Sequence, residues 1–186
     1  MDVRPATQED MPAVWRLTHD VYQASGYCEA NPHSMLRHYP LLDGIEETTV
    51  YIAEDAGEIV GTNSLTVDGP WGLHTDEDFP RETRAIRLMC RHMGWRLGCS
   101  WRICTTPANR NRTATVKSLF RATIEGVLDA SLDALLFEFH PRHAKIYKRT
   151  LGLDVLAEGT CGSVDAPSVL MCGIRSRCEE KWRRYL

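Results

Sequence analysis

The sequence predicts a single α/β domain built on a mixed sheet, and three observations carry that expectation. Stretches rich in β-branched residues alternate with amphipathic stretches in the order β-α-(α)-β-β-(α)-β-α-β-α-β-β, which packs helices onto a sheet but is not the doubly wound order. The length, 186 residues, suits one domain, and the 43% hydrophobic and 25% charged content excludes disorder and low-complexity scaffolds. The chain lacks G-x-G-x-x-G, G-x-x-x-x-G-K-[ST] and G-x-S-x-G, which sets aside dinucleotide, P-loop and α/β-hydrolase chemistry.

The elements follow in order. Val3 to Ala6 reads as a short strand, and Met11, Val14, Trp15, Thr18, Val21 and Tyr22 recur at helical spacing behind the acidic start Glu9-Asp10. Pro32, Pro40 and Gly44 break the next stretch into a loop with a short helix expected over Ser34 to Tyr39. Thr48 to Ala53 and Glu58 to Val67, separated by Asp55-Ala56-Gly57, predict a hairpin. After Gly69-Pro70 and the acidic Thr75 to Asp78, Ile86, Met89 and Met93 mark the apolar face of a helix ending near Gly94. A strand over Ser100 to Thr106 runs into Pro107. Val116, Leu119, Phe120, Ile124, Val127 and Leu128 define a second strong helix, and Leu135 to His140 a buried strand. Pro141 starts and Gly152 stops another helix, and strands near Val155 to Gly159 and Ser168 to Ile174 complete the domain over 1–174. Residues 175–186, a charged tail, form a helix on a partner or lie in solvent.

Charge is distributed unevenly behind a net value of −3. No acidic residue lies between Glu82 and Glu125, a stretch that holds nine of the 22 basic residues, so an anionic partner is expected there. The seven cysteines form no C-x-x-C pair, so neither a disulfide framework nor a metal site is expected. No apolar run approaches the roughly 18 residues a membrane helix needs, and the amino terminus has no apolar signal core, so the expected location is the cytoplasm with no membrane partner.

The most informative local feature is the passage from strand through Pro107-Ala108-Asn109-Arg110-Asn111-Arg112 into the helix at Thr113. Arg110, Arg112 and Lys117 add positive charge to the positive end of a helix dipole, an arrangement that an anion would stabilise. Backbone amides at Thr113, Ala114 and Thr115 can cradle a phosphate. On the next strand, period-two alternation puts Glu138 and His140 on one face and Phe137 and Phe139 on the other. A Glu in a central strand is costly to bury unless paired or functional, so Glu138 and His140 are both candidate bases. Trp15, Trp71, Trp95 and Trp101 are candidates for the wall of an apolar ligand pocket, or for the core.

Strand, P-x-x-R-x-x-x-A loop and helix, followed by strand, His140-Pro141-Arg142-His143-Ala144 with Tyr147, and Leu151-Gly152-Leu153, resemble the GNAT acyltransferase superfamily over the whole chain. That resemblance implies that the backbone of Ile103, Cys104 and Thr105 pairs with pantetheine amides, that Arg110 and Arg112, Thr113, Ala114 and Thr115 hold phosphate, and that Tyr147 protonates the leaving thiolate. The match is closer to the N-acyl amino acid synthases, which are similar to acyl-homoserine lactone synthases. Val21-Tyr22 with Gly26-Tyr27, Val60-Gly61-Thr62-x-Ser64-Leu65 and Gly72-Leu73-x-x-Asp76-x-x-Phe79 resemble that branch in order. Arg102 matches the Arg of its E-x-x-R pattern, while Cys99 stands where the pattern has the Glu that assists amine deprotonation.

The resemblance implies an N-acyltransferase moving a long acyl chain from acyl carrier protein to the amine of an amino acid or similar acceptor. Asn111, Thr113 and Thr115 replace the usual loop glycines, and a strongly acidic carrier with a single phosphate suits that loop and the basic stretch better than free acyl-CoA. Acyl-phosphopantetheine or acyl-CoA would be a co-substrate, with no tightly bound cofactor. Backbone amides near Ile103 would hold the oxyanion, with Tyr147, Arg102, Glu138 and His140 as catalytic candidates. Two alternatives stand beside this: an acetyl-CoA-dependent N-acetyltransferase, and a degenerate acyl-binding module. The basic stretch carries no recognised nucleic-acid motif, so nucleic acid is not an expected partner.

Overall fold

The computed structural model, which describes residues 1–164 and 166–186, starts with a short strand, β1 (Asp2–Pro5), and the amphipathic helix α1 (Met11–Ala24), with a proline in its first turn where the missing N–H removes no helix bond. Strands β2 (Thr48–Asp55) and β3 (Glu58–Val67) form the hairpin. Ala56 and Gly57 turn it at φ +51° and +85°, the left-handed pair that matches strand twist. A four-residue helix, α2 (Thr75–Asp78), leads into α3 (Pro80–Met93), which ends at Gly94 with φ +68°. Next come β4 (Leu97–Thr105), the long α4 (Arg112–Asp129) and β5 (Ala134–Phe139). A single 3-10 turn at Pro141–His143, α5 (Ala144–Leu151), β6 (Asp154–Cys161), β7 (Ala166–Ile174) and α6 (Arg175–Trp182) finish the chain.

The seven strands make one sheet in the order β1-β2-β3-β4-β5-β7-β6, antiparallel throughout except between β4 and β5, which α4 connects. Alternation along each strand sorts the core onto two faces. Tyr51, Phe137 and Phe139 face α4 and α5 through Leu119, Phe120 and Leu151. Val50 and Ile52 face α1, while Trp101 and Leu136 meet Tyr39, Phe79 and Cys90 from the 25–47 loop and the α2–α3 region.

Two irregularities position the site. β4 and β5 pair only over Leu97–Ser100 against Ala134–Phe137 and then part. At the same point β4 carries a bulge, since Thr62 pairs with Cys104 but Ser64 with Trp101, and Arg102 takes φ +58°. The extra residue switches faces: Cys99 and Trp101 pack on one side of the sheet and Ile103 on the other.

Three local expectations are corrected. Ser34 to Tyr39 is not helical: the Asn31 side chain accepts from the backbone N–H groups of His33 (3.1 Å) and Met35 (3.3 Å), and Ser34 and Tyr39 take φ +49° and +55°. The α3 helix exists, but of the Ile86-Met89-Met93 stripe Ile86 packs against the core while Met89 is exposed. Met93 and Leu88 are exposed, while Thr83 and Cys90 are buried and Arg87 faces inward to pair with Asp68 (2.8 Å) and Asp76 (2.6 Å). The segment after Ile174 is a helix on this chain's own core, where Cys178 and Trp182 are buried and Trp182 Nε1 donates to the Leu151 carbonyl at 3.0 Å.

Candidate active site

Where β4 and β5 part, a cavity of about 230 Å³ opens between Trp101–Thr105 of β4 and Glu138–His140 at the end of β5. Tyr22 of α1, His38 of the 25–47 loop, Arg112 of α4, Tyr147 of α5 and Ser168 of β7 complete different parts of its wall. One end is buried, formed by His38, His74, Trp101, Cys161 and Ser168 around Glu138; the other carries the exposed Arg112 and Arg142.

Glu138 is the pivot of the buried end. Its side chain is 7% exposed, Oε1 accepts from Ser168 Oγ at 2.6 Å, and Oε2 lies 3.5 Å from His74 Nε2. Neither of those last two atoms has a hydrogen-bond partner. Burial, reinforced by the neighbouring Asp78 carboxyl, raises the Glu138 pKa to about 7. His74 is 1% exposed and its Nδ1 meets Cys99 Sγ at 3.1 Å; burial depresses it to about 3, so the ring is neutral. Asp78 Oδ2 accepts from Tyr39 Oη at 2.5 Å and Oδ1 from the Gly162 N–H at 2.7 Å, and Tyr39 Oη also lies 3.3 Å from Cys161 Sγ. The ligand atoms of Asp78, Glu138 and Cys161 lie within 4.8 Å of one another, close enough for one small cation to reach all three.

The residues singled out from sequence divide into three groups. Tyr147 lines the cavity, its ring 4.2 Å from Phe139 and its hydroxyl pushed up by burial to about 12, which keeps the proton on it. Ile103, Cys104, Thr105 and Arg112 also line it, and Arg112 Nε reaches Thr105 Oγ1 at 3.4 Å. His140 is at the rim rather than with the carboxyls: its ring stacks 5.5 Å from Tyr27 and its Nδ1 accepts from the Arg142 N–H at 3.2 Å.

The remaining residues require correction. Arg102 lines the cavity, but its charge is already matched within the protein. Its guanidinium, 0% exposed, grips both oxygens of Asp43 at 3.0 and 2.8 Å and Ser64 Oγ at 3.2 and 2.8 Å, so it pins the 25–47 loop to the sheet. Thr115 does not offer its amide: that N–H bonds the Asn111 carbonyl at 3.0 Å as the first helical bond, and its hydroxyl meets Asn109 Nδ2 at 2.7 Å. The helix-start amides ahead of that bond belong to Arg112, Thr113 and Ala114, on an N-terminus without a side-chain cap. Arg110 is exposed and outside the cavity wall. Of the four tryptophans considered as pocket walls, Trp101 alone lines the cavity; Trp15 donates to Asp43 at 2.9 Å, and Trp71 is 65% exposed.

Sequence reasoning missed His74, Asp78, Tyr39, Cys161 and Asp43. The signal lay inside Gly72-Leu73-x-x-Asp76-x-x-Phe79. Asp76 accepts from the Leu73 N–H at 2.8 Å and Phe79 packs against Gly159, and these anchors aim the intervening His74 and Asp78 at the carboxyl cluster.

Residues 13–173 match the family described as N-acyl amino acid synthase FeeM. The chain belongs to that family. The FeeM family assignment agrees with the solved structure of FeeM, an N-acyl amino acid synthase from uncultured soil microbes, which superposes with TM-score 0.79 at 22% identity over 99% of this chain and 93% of that one. A ribosomal-protein-alanine N-acetyltransferase from Brucella melitensis shares the fold at TM-score 0.61 and 16% identity, over 94% and 99% of the two chains. So does BjaI, a CoA-dependent acyl-homoserine lactone synthase solved with SAM and isopentyl-CoA, at TM-score 0.62 and 15% identity over 96% and 83%. No curated protein sequence matches. As a member of the FeeM family the protein is an N-acyltransferase of the GNAT fold, and no described helix is long and apolar enough to cross a membrane.

Proposed function

We propose that this N-acyltransferase takes a long-chain acyl group from the phosphopantetheine arm of acyl carrier protein, in the cytoplasm, and joins it to the amine of an amino acid or similar acceptor. The observation that carries the reading is a buried carboxyl titrating near neutrality, Glu138, in the same cavity wall as a phenol that holds its proton, Tyr147. Glu138 takes a proton from the acceptor ammonium. The freed amine attacks the thioester carbonyl, and the backbone N–H groups that β4 leaves without a β5 partner beyond Ser100 are the donors available to the developing oxyanion. As the C–S bond breaks, Tyr147 protonates the thiolate and is itself reprotonated by the proton that the new amide nitrogen loses.

Cys99 cannot serve as the base, being wholly buried with a thiol pushed far up; His74 lies between it and Glu138, so the carboxyl on β5 serves the amine in its stead. Arg112 and the first amides of α4 favour a phosphate at the open end. A second reading, acetyl transfer from acetyl-CoA to a small amine, is favoured by the cavity's size, about 230 Å³ against the roughly 300–1,000 Å³ of common ligand pockets.

The test is intact-mass product analysis with acyl chains from acetyl to palmitoyl on both coenzyme A and acyl carrier protein, offered pooled amino acids and amines. Long-chain product from the carrier alone is the expected result. Acetyl product from coenzyme A selects the second reading, and donor binding without product from either defeats both.

A further inference from the structure

We infer that Arg142, together with the Tyr27 hydroxyl, binds the α-carboxylate of the amino acid acceptor and so selects amino acids over plain amines; this rests on the acyl-transfer reading above. Three observations lead there. The first is the supply of cations in the cavity wall. Arg102 is matched by both oxygens of Asp43, and burial holds the cavity histidines, His38, His74, His140 and His143, below their ordinary pKa. Among the described residues that leaves Arg112 and Arg142. Arg112 opens α4 beside its uncapped amides, where the donor's phosphate is expected, so Arg142 remains for a second anion.

The second is how Arg142 is held. Its Nε donates to His143 Nε2 at 3.1 Å, and its guanidinium lies 5.8 Å from the centre of the Tyr27 ring, which stacks on His140. Nη1 and Nη2 have no hydrogen-bond or carboxylate partner among the described residues, so two parallel donors stand ready for a bidentate carboxylate. The third is the Tyr27 hydroxyl, buried in the same wall without a hydrogen-bond partner. A carboxylate oxygen beside it accepts the bond that the hydroxyl lacks. The placement fits the chemistry. Glu138 and His140 both line the cavity, and the 3-10 turn that begins at Pro141 sets Arg142 at its exposed end. An amino acid in this cavity of about 230 Å³ turns its nitrogen to the carboxyl end and its carboxylate to the arginine.

The test sets each amino acid that accepts an acyl group against the amine that lacks only its α-carboxylate, phenylalanine against phenethylamine and leucine against isopentylamine among them. With whichever donor supports turnover, kcat/KM is expected to favour the amino acid by about tenfold or more, and Arg142→Gln to remove most of that preference. Tyr27→Phe, which keeps the ring on His140, is expected to reduce it severalfold. Amines used as well as amino acids, or a preference that survives Arg142→Gln, overturns the inference and leaves acyl transfer standing. A raised donor KM with the preference intact also overturns it, and assigns Arg142 to the donor's phosphate. No transfer to any acceptor from either donor defeats the acyl-transfer reading instead, and calorimetric binding then decides the inference. Phenylalanine binding that Arg142→Gln weakens about tenfold more than phenethylamine binding sustains the carboxylate site. Equal effects on the two, or no phenylalanine binding by the wild type, overturns it.

Discussion

At the scale of single residues, one proton on Glu138 links rate to stability. With its pKa raised to about 7, the fraction able to accept a proton grows through neutrality. The expected kcat/KM therefore climbs with pH to about 7, and the climb disappears, with a loss of about 10²-fold or more, in Glu138→Gln. For stability the sign runs the other way. A carboxyl whose pKa rises from 4.5 to about 7 on folding binds its proton more tightly in the folded state, so its ionisation destabilises the fold above neutrality by about 3 kcal/mol. That penalty fades as pH falls towards 4.5. Glu138→Gln is expected to raise Tm by several degrees near pH 8 and hardly at all near pH 5, as read by calorimetry across pH. His38 and His74, held neutral by burial, act oppositely, costing stability as pH falls below 6.5. Glu138 was legible because a charged residue between Leu135-Leu136-Phe137 and Phe139 contradicts its surroundings. His74 and Asp78 were not, because α2 has four residues and no period from which a direction could be read.

At the scale of elements, the 25–47 loop depends on one buried ion pair rather than on secondary structure. Removing Asp43 leaves the Arg102 guanidinium, 0% exposed, without its counter-charge. Asp43→Ala is expected to cost about 3–5 kcal/mol in urea unfolding, and Asp43→Leu with Arg102→Met to recover most of it. The short parallel contact between β4 and β5 depends on Gly98, where an added Cβ would meet Leu132 Cδ1 at 2.6 Å and the Thr66 carbonyl at 2.9 Å. Gly98→Ala is expected to destabilise the fold by about 1–3 kcal/mol and to lower activity, since it wedges the strands at the origin of the cleft. Helices and hairpin could be read from sequence because burial repeats along them. The loop could not, because Asn31 side-chain bonds compete with the helix that propensity suggests. The stripe on α3 misled because an arginine with two carboxylate partners buries as well as a methionine does.

At the scale of the molecule, charge is the organising quantity. Six of the nine cations between Glu82 and Glu125 have no carboxylate partner among the described residues: Arg84, Arg91, Arg96, Arg110, Arg112 and Lys117. A carrier protein held by that field should show a KM rising severalfold as salt increases from low to physiological, with a shallower rise for acyl-CoA, measured on the same acceptor. The sheet order was legible in outline, since the sequence of elements allows few arrangements. The parting of β4 from β5 was not, because a backbone bulge leaves no mark in composition. Cys104 and Cys161 line the resulting cleft and Cys99 lies just behind it, all three pushed up by burial, the first two to about 12. A thiol that ionised here would capture the acyl group by transthioesterification and strand it on the enzyme. Held as thiols, they would let a reactive thioester pass through the proposed site unclaimed, so that the acyl group would leave on nitrogen.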